Sequence, residues 1–199
     1  MDLIGLTKGL RHKLSTVIGI QGDGWCVLGA DSQVSENGRI WSTTKGLGKI
    51  IKRGPYYIAT VGDFRPTNIL AYNFNYPKLP PFSSTYKLDK FIGSRFIPAL
   101  QQCYADNAYT PKDGDSGTDI LVAVYGNLYV ISYDYSWTKD RRGYYALGSG
   151  GDYALGAMAT YAQPRSIATA TLIARTALSI ACQYDTESGE PLLIYSQSE

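Results

Sequence analysis

Apolar residues recur in this chain with two different periods, and the order in which those periods alternate is the tightest constraint on what it can fold into. Alternating, β-rich runs occupy Thr16 to Gln21, Trp25 to Ala30, Arg39 to Ser42, Lys49 to Lys52 and Tyr56 to Val61, mostly separated by glycine-containing turns such as Gly22-Asp23-Gly24. A helical stretch is expected over Asp63 to Phe74. The proline-rich Tyr76 to Pro81 forbids regular structure, and Ser83 or Ser84 then offers a cap for a second helix reaching about Ala108. In that helix Leu88, Phe91, Ile92, Phe96 and Leu100 repeat at three- and four-residue intervals, and Pro98 is placed to kink it. Strands resume at Ile120 to Val124 and Leu128 to Tyr133, around a Gly126-Asn127 turn, and at Tyr144 to Gly148. Helices over Asp152 to Tyr161 and Ser166 to Tyr184, then a strand Leu192 to Tyr195, close the chain. Strands, helices, strands, helices, strand is the order of an α+β protein, with two antiparallel sheets covered by helix layers.

Composition narrows the function classes. A chain of 199 residues, 44% of them apolar and 18% charged, has the length of one domain and enough apolar side chains for a core. A net charge of +2 with no long Lys/Arg run argues against nucleic acid or an anionic membrane as partner. No stretch reaches the ~20 apolar residues of a membrane span, and residues 1–14 lack a signal-peptide apolar run, so a cytoplasmic protein is expected. The three cysteines, Cys26, Cys103 and Cys182, are far apart and without metal-ligand spacing, and read as buried thiols with no chemistry. The 17 tyrosines are spread over strands and loops, as expected for sheet faces and subunit contacts.

Chemistry is concentrated around the first strand. Ser15 and Thr16 open it, and Asp31 ends the next strand of the same hairpin, so its carboxylate can return to the end where Ser15 lies. Lys49 starts a later strand. A lysine held between an aspartate and a hydroxyl stays cationic, lowers the hydroxyl's pKa and takes the aspartate as counter-ion. The single histidine, His12, precedes the strand. A hydroxyl nucleophile without an imidazole can use the α-amine created by cutting the chain just before it, because that amine has a pKa of about 7.7 to 8.0. Each residue also has a plain structural reading: a strand-edge hydroxyl, a surface carboxylate, an ordinary turn.

At these residues the chain resembles the β-type subunits of the proteasome family, the N-terminal nucleophile hydrolases, and in particular the peptidase of the two-component ATP-dependent proteases of bacteria. Ser15 to Gly19 match the family's Thr-Thr-Ile-Val-Gly start, and Asp31 falls sixteen residues after the nucleophile position, as in the family. Lys45 to Ile50 resembles the catalytic-lysine segment, with Lys49 at the lysine position after about two inserted residues. Ala59-Thr60-Val61-Gly62 resembles the strand end whose glycine amide forms the oxyanion hole. Gly148-Ser149-Gly150-Gly151 resembles the family's turn into a helix, and Asp185-Thr186-Glu187-Ser188-Gly189 its Asp-x-x-Ser-Gly element.

The resemblance implies a four-layer αββα sandwich over residues 15–199, preceded by a leader or propeptide, residues 1–14. It implies a threonine-peptidase-type endopeptidase with a serine nucleophile, hydrolysing unfolded polypeptide inside a homo-oligomeric ring of identical subunits, fed by an ATP-dependent unfoldase and needing no cofactor or metal. Ser15 would be the nucleophile, Asp31 and Lys49 would set the field, and Gly62 would stabilise the oxyanion. Ser149, Asp185 and Ser188 would position the amine and the attacking water. Thr60 would line the pocket for the side chain before the scissile bond, with Val34 and Ser35 beside the peptide backbone. Two residues depart from the family pattern: Ser15 replaces threonine, and Leu14 stands where self-cleaving precursors favour glycine. The rival expectations are a non-catalytic assembly or scaffold protein with an uncut leader, and an amide hydrolase of small molecules.

Overall fold

The computed structural model describes residues 15–36, 39–43, 48–111 and 117–199. The expected leader, with His12 and Leu14, lies outside these residues, as do 45–47 of the lysine segment.

Two antiparallel sheets form the centre. In one, strands β1 (Val17–Gln21), β2 (Trp25–Ala30), β10 (Tyr144–Leu147) and β11 (Leu193–Ser198) lie in the order β10-β1-β2-β11. In the other, β5 (Ile50–Arg53), β6 (Tyr56–Val61), β7 (Asp119–Val124), β8 (Asn127–Ile131) and the two-residue β9 (Trp137–Thr138) follow one another in chain order. A separate hairpin pairs β3 (Gln33–Glu36) with β4 (Arg39–Ser42).

Period-two alternation divides the side chains between layers. Val17, Cys26, Leu28, Ala30, Ala59, Val61, Leu121, Ala123 and Leu128 face each other between the sheets. The alternate residues Ile58, Ile120, Val122, Val124, Tyr129 and Ile131 point outward and are covered by α1 (Arg65–Tyr72), α2 (Thr85–Phe91) and α3 (Ile97–Asp106). Ile18, Ile20 and Val27 face α4 (Gly151–Ala159) and α5 (Ile167–Tyr184) on the other side. The result is the expected αββα sandwich. Each fully buried branched or aromatic side chain in these layers contributes about 1.5–3 kcal/mol of transfer free energy.

The helix expected over residues 84–108 is three pieces. Ser84 caps α2 by accepting from Lys87 N, and a π-helical turn, Ile92–Phe96, then joins α2 to α3. Pro98 explains the break: its missing N–H and its ring exclude a regular bond to residue 94, and the wider turn absorbs the misfit, closing instead through Ile97 N to Ile92 O. The β7–β8 turn is Tyr125-Gly126, both at positive φ (48° and 71°), with Asn127 already in the strand. Strand β11 runs on to Ser198, beyond the expected Tyr195, because Tyr195 to Ser198 continue the pairing with β2 down to Trp25.

Helix α5 carries the longest apolar stripe, Ala170, Ile173, Ala174, Ala177, Leu178 and Ala181. Its alanines bring the helix close to the sheet: a Cβ on Gly29 of β2 would meet Leu178 at 2.7 Å. Ser166 caps its start, accepting from Thr169 N at 3.2 Å, and at its far end Asp185 leaves helical geometry at ψ 120°. That exit directs residues 185–189 toward the start of β1.

Candidate active site

Strand register carries the candidate residues to one rim of the sandwich. Val17 of β1 lies opposite both Ala30 of β2 and Leu147 of β10, so Ser15, Asp31 and the Gly148-Ser149 turn leave the sheet at the same end. Leu193 also pairs with Ala30, which brings in the segment before β11. Ile50 pairs with Ala59, and Thr60 N donates to Lys49 O at 3.2 Å, so Lys49 and the end of β6 are neighbours in the second sheet. The strand therefore begins at Ile50, one residue after the position expected for it, and Lys49 is the residue that leads in.

Asp31 is the hub. It is fully buried, and its Oδ1 accepts from Thr16 N at 2.8 Å and from Lys49 Nζ at 2.5 Å. Its Oδ2 accepts from Gln33 N at 2.9 Å and Gly189 N at 3.0 Å. Four donors on one carboxylate offset the cost of burying it. Burial pulls the Lys49 ammonium below the ordinary lysine value, and the Asp31 carboxylate beside it opposes that shift.

A second carboxylate organises the other side. Asp185 Oδ2 accepts from Ser188 Oγ at 2.6 Å and from Ser149 Oγ at 2.8 Å. Ser188 Oγ lies 2.6 Å from Thr16 Oγ1; because Ser188 gives its single proton to the carboxylate, Thr16 is the donor in that contact. Ser149 Oγ is also 3.4 Å from the Ser15 carbonyl oxygen. Ser15 itself is buried and holds φ at 120°, a region that L side chains rarely adopt.

Five of the expected residues, Asp31, Lys49, Ser149, Asp185 and Ser188, thus join one hydrogen-bonded network through Thr16, with the Ser15 carbonyl oxygen 3.4 Å from its Ser149 end. Gly62 follows β6 with φ 99°, and a Cβ there would stand 2.4 Å from the Gly117 carbonyl oxygen, so the position admits only glycine. Val34 and Ser35 are half-buried on β3, and Ser35 Oγ accepts from Gln33 Nε2 at 2.9 Å. Thr60 is buried on the outer face of its sheet, where its hydroxyl and that of Thr67 on α1 are 2.6 Å apart, and it meets the network through its backbone.

Several participants were not among the expected site residues. Thr16 belongs to the opening strand motif, Gly189 closes the Asp-x-x-Ser-Gly element and Gln33 carries no motif, yet the backbone N–H of each donates to Asp31. Gly148 and Gly150 are also required: Cβ atoms there would stand 2.0 Å from Ser15 O and from Thr16 Oγ1. Cys182 is half-buried, not buried as expected; its thiol is pushed up to about 11, by burial first and then by Asp31. Among the described residues no three His, Cys, Asp or Glu side chains gather as metal ligands, and no helix is long and apolar enough to cross a membrane.

No protein-family model matches the sequence, and no curated protein matches it. Solved structures do. Thiobacillus denitrificans BPH, a bacterial proteasome homologue, in complex with epoxomicin, is 27% identical, with a TM-score of 0.70 over 92% of this chain and 98% of that one. BPH alone gives 27% and 0.69, over 92% and 97%. Eukaryotic HslV from Trypanosoma brucei superposes at a TM-score of 0.62 with 19% identity, over 92% of this chain and 99% of that one, a likeness of fold. These neighbours are proteasome-type subunits of the N-terminal nucleophile hydrolases, and the resemblance carried by the sequence motifs holds in three dimensions.

Proposed function

We propose that this chain is a proteasome-like peptidase whose nucleophile is Ser15 Oγ, released for catalysis by hydrolysis of the Leu14–Ser15 bond. The observation that carries the reading is the closed network around the first two described residues, Ser15 O–Ser149–Asp185–Ser188–Thr16 on one side and Thr16 N–Asp31–Lys49 on the other. Both carboxylates reach Thr16, Asp31 through its N–H and Asp185 through Ser188, and Thr16 follows the residue whose amino group cleavage would free.

The chemistry follows from the geometry. At φ 120° Ser15 carries a backbone strain on the order of 1–3 kcal/mol, and cleavage of its bond to residue 14 abolishes that torsion. The freed amine would lie one residue before Thr16, whose hydroxyl reaches Asp185 through Ser188; Asp185 stands at the C-terminal end of α5, where the helix dipole adds negative potential. An ammonium is stabilised there, so the amine can take the Ser15 Oγ proton as the oxygen attacks a peptide carbonyl, then deliver it to the departing amine. The Gly62 amide would hold the oxyanion, and a water positioned by Ser149 and Ser188 would release the acyl group by the same route in reverse. The hydroxyl of serine serves as well as that of threonine; the lost methyl fixed only the rotamer.

The substrate in this reading is an extended polypeptide lying beside Val34 and Ser35. Identical subunits would form a ring, and an ATP-dependent unfoldase would supply unfolded chains, as the likeness to BPH and HslV supports. Intact-mass spectrometry together with fluorogenic peptides tests it. A species starting at Ser15 that cleaves peptides is expected; a chain that keeps residues 1–14 and turns over neither peptides nor small amides would leave the scaffold reading in its place.

A further inference from the structure

We infer that Gln33 is a positioning residue of the site just proposed, coupling the peptide-binding strand β3 to the loop 185–189 that holds the amine. The inference rests on the peptidase reading.

Gln33 is bonded to three parts of the site at once. Its backbone N donates to Asp31 Oδ2 at 2.9 Å. Its carboxamide Nε2 has two protons and uses both, one to Ser35 Oγ at 2.9 Å and one to Thr186 O at 2.8 Å. Its Oε1 rests against Gly189, where a Cβ would stand only 2.4 Å away, so the amide is packed on the loop as well as bonded to it. The loop is stitched to the same segment by Ser32 N to Gly189 O at 2.9 Å and Gly189 N to Asp31 Oδ2 at 3.0 Å. Those two bonds fix the loop's end. The Gln33 carboxamide reaches its middle, at Thr186 between Asp185 and Ser188, and extends the connection to Ser35.

The direction of coupling follows. A peptide laid along β3 restrains Ser35, Ser35 restrains the Gln33 amide, and the amide restrains Thr186 and with it the carboxylate of Asp185. Longer peptides should therefore improve the placement of the amine, not only bind more tightly. A carboxylate cannot replace the amide, because it would face the Thr186 carbonyl with no proton to give and add a charge beside Asp31.

The test compares the wild type with Gln33→Met and Gln33→Glu, using fluorogenic substrates of one and of three residues before the scissile bond. In the wild type, lengthening the substrate is expected to raise kcat. In Gln33→Met, kcat on the longer substrate should fall about 10- to 100-fold, the cost of a misplacement on the order of 1 Å, with KM changed less than about threefold. Lengthening should then lower KM alone. The acid limb of the pH profile should move to lower pH, since an amine less well held by Asp185 loses its proton more easily. Gln33→Glu should fall at least as far. Equal gains in kcat on lengthening in wild type and Gln33→Met overturn the coupling while leaving the peptidase reading intact. Loss of activity in parallel with a collapse of the thermal transition in both variants overturns it as well, making Gln33 structural. A wild-type chain that neither loses its leader nor cleaves peptides removes the peptidase reading, and this inference with it.

Discussion

Lys49 Nζ and Asp31 Oδ1, 2.5 Å apart and sealed from solvent, join the two sheets of the sandwich: Asp31 follows β2 in one, and Lys49 precedes β5 in the other. The pair sets the distance between the sheets at the rim where the nucleophile stands. It is a structural clamp and a source of local field together.

Breaking that pair from one side leaves a charge in the core. Lys49→Met is expected to cost about 3–5 kcal/mol in urea denaturation, the usual penalty for stranding a buried ion. Asp31→Asn with Lys49→Met should cost less than the sum of the single changes. Additive costs would show that the two side chains do not depend on each other.

The nucleophile prediction turns on one bond. Ser15→Ala is expected to keep residues 1–14 and to show no turnover, with an unchanged thermal transition, whereas Ser15→Thr keeps both processing and peptide cleavage. Leu14→Gly should speed leader removal, because glycine accepts the backbone geometries of the cleavage step that a leucine resists. Time-resolved intact-mass measurements on the three variants decide the matter.

Gly148 holds φ at 90°, and a Cβ there would meet the Ser15 carbonyl oxygen at 2.0 Å. Gly148→Ala should therefore displace Ser15 and cost on the order of 1–3 kcal/mol. Processing should be lost even where the fold survives, as read by circular dichroism beside intact mass. Gly156→Ala, at a position open to solvent space, serves as the control.

Alkaline pH should unfold the chain. Burial pushes the Cys26 thiol from 9.0 up to about 12 and Tyr104 well above its ordinary value, so the native state keeps protons that the unfolded chain releases. Stability from these groups is whole below pH 9 and is lost as pH rises through that of the native thiol. Lys49, with its lowered pKa, acts in the opposite sense, but it is one group against several thiols and phenols. The urea midpoint should drop between pH 8 and 10.5, and Cys26→Ala should flatten the slope. A midpoint independent of pH over that range would contradict the burial of these groups.

Much of the fold was legible because strand and helix periods are local. The alternation in Ile120 to Val124, or the stripe from Ala170 to Ala181, needs only a chain and a core to be read. Pro98 marked the place where a helix had to break; that the break would take the form of a π-helical turn depended on how Ile97 and Ile92 could still pair, which no single residue announces. The β7–β8 turn was misplaced by one residue because Tyr125 gives no sign that it tolerates positive φ.

The site was legible in part. Spaced landmarks marked Asp31, Lys49, Ser149, Asp185 and Ser188, since motif residues carry their identity in the chain. Gln33 carries no such mark: a glutamine in a short strand is ordinary, and its role exists only where β3 and the loop after α5 meet. Thr60 shows the converse, a residue marked by its motif whose hydroxyl turned out to face Thr67 on α1.

By itself, then, the sequence determined the kinds of element, their order and the residue types able to do chemistry, because propensity, periodicity and side-chain pKa act over a few bonds. Only the tertiary structure decided which of those residues meet. Hydrogen bonds reach about 3 Å, and whether residues 16, 31, 49, 149, 185 and 188 come within that reach depends on the register of strands far apart in the chain.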